Sequence, residues 1–188
     1  MRLWRAVGRR LFIFAAVALA SLGVDGHGEA RQWKPSAVSA AREYLKIQHQ
    51  ISDRESILLI WMAPQYFPET RETEAMRSMM KDFVVLAFVH VSISKLGEWS
   101  FKAASDLTIE VGDSAPMQPL PRESLAPVVM GTVDTMKTIL AQGLGRLGEG
   151  MQILVFEGSK VDSCKEGVIW VPYQSERYDF RTPLAGCP

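Results

Sequence analysis

Between Phe83 and Ser94 the chain reads FVVLAFVHVSIS, and Phe83, Val85, Ala87, Val89, Val91 and Ile93 fall on one face of an extended strand. The other face passes from Val84, Leu86 and Phe88 to His90, Ser92 and Ser94, so this strand is buried on both sides at one end and half wet at the other. Ser56 to Met62 (SILLIWM) is a compact apolar run closed by Ala63-Pro64 and Pro68, which suits a second strand buried on both faces. Met151 to Glu157, Gly167 to Val171 and Tyr178 to Phe180 add strand patterns toward the C-terminus. Lys95-Leu96-Gly97-Glu98 reads as a turn leading into a meander of short strands, Trp99 to Ala103 with Leu107, Ile109 and Val111.

Helical spacing interrupts the strands three times. Val38, Ala41, Leu45 and Gln48 follow Ser36 at such spacing, with Arg42, Glu43 and Lys46 off the stripe, which predicts a short first helix. Glu69 to Asp82 predicts a second, with Met76, Met79 and Met80 on one side, Thr70 or Thr73 as cap and Lys81 near the negative end. A third carries Val129, Val133, Met136 and Leu140 and stops at the glycines that begin at Gly143. Before it, the stretch from Gly112 to Pro127 holds Pro116, Pro119, Pro121 and Pro127, so it is expected as a loop or an extended edge. The pattern predicts a mainly β fold with inserted helices. An immunoglobulin-like β-sandwich is favoured, and a three-layer α/β arrangement is the alternative.

The first twenty residues set the expected location. Arg2, Arg5, Arg9 and Arg10 precede an uncharged apolar run, Leu11 to Leu19, as in a secretory signal peptide. Cleavage after Ala20 or after Gly23 satisfies the small-x-small rule, which makes 21–35 a flexible lead-in and 36–188 a single globular domain. Either cut removes four arginines and no acid, so 21 basic and 21 acidic residues become 17 and 21. That sign argues against nucleic acid or an anionic membrane surface as partner. No second apolar run is long enough to cross a bilayer. The expected destination is the periplasm or the medium. There the two cysteines, Cys164 and Cys187, are most simply read as one disulfide.

Candidate chemistry is sparse. Gly143-Leu144-Gly145-Arg146-Leu147-Gly148 has the letters of a dinucleotide fingerprint, but a helical pattern enters it and a strand pattern leaves, so it reads as a helix C-cap and turn. Of the three histidines, His49 ends the first predicted helix, where the dipole favours a cation, and His90 reads as a solvated or hydrogen-bonded structural residue. If the leader were cut after Gly26, the new terminal amine and imidazole of His27 could chelate copper, with His90 or His49 as a further ligand. Met76, Met79 and Met80 read as core filler ahead of a thioether copper site. Among the aromatics, Trp61 and Trp170 are expected in the core, whereas Trp99, Tyr173 and Tyr178 stand next to turns where a sugar platform would need them, with Trp33, Tyr44 and Tyr66 available besides. The chain has no Asn, so it has no N-glycosylation acceptor.

These readings lead to an exported, noncatalytic module that binds an envelope protein or peptide, with the proline-rich loop and a nearby strand edge as contact surface and no cofactor. Two alternatives stand beside it. One is an envelope-polymer hydrolase using His90 as base with Asp106 or Glu110 as the neighbouring acid; the other is a copper carrier built on His27 and His90.

Overall fold

The computed structural model describes residues 45–48, 54–185 and 187. The leader, the lead-in, Trp33, Tyr44, His27, His49 and the expected helix up to residue 44 lie outside the described residues. The fold is mainly β, with two antiparallel sheets and few helices.

The larger sheet has five strands: β1 (Leu45–Gln48), β2 (Glu55–Trp61), β3 (Phe83–Ile93), β4 (Trp99–Lys102) and β6 (Gln152–Glu157). β3 is its spine. Along one side it pairs with β2; along the other it pairs with β6 over Phe83 to Phe88 and then with β4 over His90 to Ile93. The smaller sheet runs β5 (Glu110–Val111), β7 (Gly167–Tyr173), β8 (Glu176–Thr182).

The two periodic faces of β3 become two cores. Val84, Leu86 and Phe88 pack with Ile57, Leu59 and Trp61 of β2 against Ile169, Val171, Tyr173 and Phe180 of the smaller sheet. Val85, Ala87 and Val89 pack against α1 (Glu74–Asp82) and α2 (Pro127–Leu144) through Met79, Met80, Val129, Val133, Met136 and Leu140. The layers are therefore small sheet, large sheet and helices. This is why β2 and β3 are apolar on both faces although every pairing in the sheet is antiparallel. The methionines of the second predicted helix are core filler, as expected.

Two local expectations differ, and a third is met. Leu45 to Gln48, expected at the end of a helix, is strand β1, because pairing with Ile57 to Ile60 of β2 outweighs a weak helical stripe. The second helix starts at Glu74 rather than near Glu69, and the hydroxyl of Thr73 bonds back to the carbonyls of Pro68 and Thr70 instead of capping the turn. The proline-rich segment lies along β6, where the Leu120 amide donates to the Val155 carbonyl, so it shields that edge.

Cys164 and Cys187 form a disulfide with Cα atoms 5.3 Å apart. It holds the tail beside the connection after β2, where the Gln65 amide donates to Ser163 Oγ at 2.7 Å and Leu184 is buried in the intersheet core.

Candidate functional site

The row of β3 side chains that faces the smaller sheet is apolar until His90, and the structure gathers polar groups there from four strands. Cross-strand register sets Ile57 of β2 and Lys102 of β4 beside His90, and Glu55, two residues before Ile57, shares that face. Tyr173 enters from β7 on the opposing sheet. Its hydroxyl lies 2.9 Å from His90 Nδ1, its ring meets the imidazole edge-on, and it packs edge-to-face on Phe88. Lys102 Nζ donates to Glu55 Oε1 at 2.8 Å, while Glu55 Oε2 stands 3.8 Å from His90 Nε2.

His90 is 0% exposed, and its Nε2 has no hydrogen-bond partner among the described residues. Burial pushes its pKa below the ordinary histidine value, Lys102 adds to the fall and Glu55 opposes it. The imidazole is thus neutral near pH 7. With a carboxylate facing Nε2, the proton belongs on Nε2, so Nδ1 accepts from the Tyr173 hydroxyl. Desolvation, with help from Asp106 and Glu55, raises the Tyr173 phenol and keeps it protonated as that donor. Glu55 is held below the usual carboxylate range, chiefly by its hydrogen bond from Lys102.

Tyr173 also borders a groove of about 370 Å³ with Ala103, Asp106, Thr108, Pro172 and Gln174. Gln174, first residue of the two-residue β7–β8 turn, has φ 55°, in the left-handed region that costs a residue with a Cβ roughly 1–2 kcal/mol.

The acid beside His90 is therefore Glu55, and neither Asp106 nor Glu110 takes that place. Asp106 lines the groove beside Tyr173, and Glu110 on β5 is ion-paired with Arg177 of β8. Strand alternation in ESILLIW already put Glu55 on the face of Ile57, Leu59 and Trp61, so half of this cluster was within reach of pattern. Tyr173 was not, being 83 residues from His90 along the chain. It was expected near the surface beside a turn, and it is buried. Trp61 is buried as expected, but Trp170 lies half-buried on the outer face of the smaller sheet, with the Arg177 guanidinium 4.3 Å from its ring centre. Trp99 is half-buried under Arg146, and Tyr178 is half-buried in β8.

The glycine-rich segment takes in the last residues of α2, Gly145 at φ 55° as its C-cap, and the first residues of α3 (Arg146–Glu149). That is the expected cap and not a strand-to-helix phosphate loop. Among the described residues no group of three or more His, Cys, Asp or Glu is placed to hold a metal ion, and His27 falls outside them. No helix of the described residues is long and apolar enough to cross a membrane.

Comparison with family models, with curated proteins and with solved structures finds no match to this chain.

Proposed function

We propose that the protein is an exported, noncatalytic module that binds an extended segment of an envelope protein or peptide along β8. The carrying observation is that β8 is the end strand of its sheet, pairing with β7 alone among the described strands. In a two-residue hairpin the pair closing the turn, here Tyr173 and Glu176, exchanges both backbone hydrogen bonds. Arg177, Asp179 and Arg181 then turn their amides and carbonyls to the outer edge, and none has a backbone partner among the described residues. An edge of this length, unpaired among the described residues, is what an added strand reads, and Trp170 between Val168 and Pro172 supplies apolar contact on the adjoining face. Arg177 with Glu110, and Arg181 and Lys46 with Asp179, keep the edge mixed in charge, which resists self-pairing and favours a partner of mixed charge.

The basic, apolar leader and the disulfide, a bond that persists in oxidising compartments, support a place in the periplasm or the medium. The immunoglobulin-like reading of the sandwich belongs to the same proposal. Two antiparallel sheets facing across one core support it.

The test is selection of displayed peptides on the immobilised protein, followed by binding to Asp179→Pro. Proline at an outward-facing edge position removes an amide the ladder does not use, so the fold tolerates it. Extended peptides that bind the native chain and lose the variant carry the proposal. Failure to enrich any sequence, or equal binding to Asp179→Pro, overturns it.

A further inference from the structure

The bond between His90 and Tyr173 joins the two sheets at the turn end of the β7–β8 hairpin. Among the described residues the charged or titratable groups around it are Glu55 from β2, Lys102 from β4, Tyr173 from β7, and, acting on or with Tyr173, Asp106 from the β4–β5 connection and Tyr178 from β8. In this arrangement the imidazole has a use for one proton only. Nδ1 accepts from Tyr173, and the proton on Nε2 points toward a carboxylate whose other oxygen is held by Lys102.

A second proton undoes this. Nδ1 then donates, the Tyr173 hydroxyl needs a different acceptor, and a cation sits at a position with no solvent exposure, sharing Glu55 with Lys102. Withdrawal of Tyr173 admits water to the imidazolium and returns the hydroxyl to solvent. The state with Tyr173 withdrawn therefore binds the proton more tightly than the closed state, and by linkage acid populates it.

We propose that His90 is an acid-operated latch: on taking up a proton it releases Tyr173 and loosens the turn end of the β7–β8 hairpin, weakening the partner-binding edge of β8. The consequence for binding rests on the reading of β8 given above. The latch itself does not. The geometry that carries it is the wholly buried imidazole, its Nε2 without a hydrogen-bond partner among the described residues and the intersheet bond at Nδ1.

Hydrogen exchange over residues 167–182 tests the latch directly, compared at about pH 7.5 and about pH 5, on either side of an ordinary histidine. His90→Gln keeps an amide beside Tyr173 but takes no charge, and it retains His27 and His49, so the ratio of the two proteins removes intrinsic chemistry and the other histidines. Each pKa unit between the closed and solvated imidazole is worth about tenfold in population. The native hairpin is thus expected to exchange severalfold faster than that of His90→Gln at the lower pH, and alike at the higher. An equal ratio at both pH values overturns the latch. Tyr173→Phe keeps the ring and removes the bond, so its hairpin should be loose at both pH values; a Tyr173→Phe profile that follows the native protein also overturns it. Acid loosening without any effect of Asp179→Pro on peptide binding would sink the β8 reading alone. Peptide binding without acid loosening would sink the latch alone.

Discussion

Removing the disulfide by Cys164→Ala with Cys187→Ala tests how the C-terminal tail is held. The bridge spans a sequence separation of 23, and in the chain-entropy relation a loop of that size constrains the denatured chain by about 3 kcal/mol at 25 °C. For a body of this size each kcal/mol moves Tm by roughly 2–4 °C, so the double variant should melt about 6–12 °C lower. The native side contributes little to that difference. Leu184 stays packed in the intersheet core and its amide still donates to the Ser163 carbonyl at 2.9 Å, holding the tail's position without the bond. The assay is thermal unfolding by near-ultraviolet circular dichroism with and without a thiol reductant. Reductant should lower the native Tm by the same amount and leave the double variant unmoved. A shift under about 2 °C would refute the entropic account. So would a variant whose folded spectrum had lost the signal of Trp61 and Phe180, since the bridge would then be maintaining native packing and not limiting the unfolded chain.

Three further outcomes follow from single features. Phe88→Ala empties a fully buried position that meets Tyr173 edge-to-face and should cost about 3–5 kcal/mol in denaturant unfolding, with added apolar dye uptake if the sheets part. Gly148→Ala and Gly131→Ala should move stability in opposite directions. A Cβ at 148 would stand 2.2 Å from the Leu140 carbonyl oxygen and costs about 1–3 kcal/mol, whereas at 131, mid-helix in open space, it gains about 0.5–1 kcal/mol. Stability should also fall in acid in two stages. The lowered His90 value means its contribution is complete above the solvated histidine range and is lost as pH drops through the folded value. The lowered Glu55, Asp134, Asp162 and Asp179 lose theirs further down, below the ordinary carboxylate range. In equilibrium unfolding followed across pH, His90→Gln should lack the first stage; its persistence there would assign that stage elsewhere.

Alternation and helical period reach a long way into this fold. β3 and the face of α2 that carries Val129, Val133, Met136 and Leu140 are where the residues indicate, because both elements bury a regular stripe and no competing pattern overlaps it. The disulfide partners follow from there being two cysteines. β1 was misread because four residues are too short for either period to be decisive, and pairing with β2 is what selects the strand. Trp170 was misplaced for a related reason: an apolar run does not say which of its two faces meets the core, and only the docking of the smaller sheet does.

The residues by themselves determined that β2 and β3 would be covered on both sides, that helices would interrupt the strands and that the tail would be tied by one bridge, since each is a matter of local spacing or count. What covers those faces, a second antiparallel sheet on one and two helices on the other, was decided in three dimensions. So was the meeting of Glu55, His90, Lys102 and Tyr173, because side chains from four strands converge only when both sheets are built and stacked, and such distant contacts leave no period along the chain.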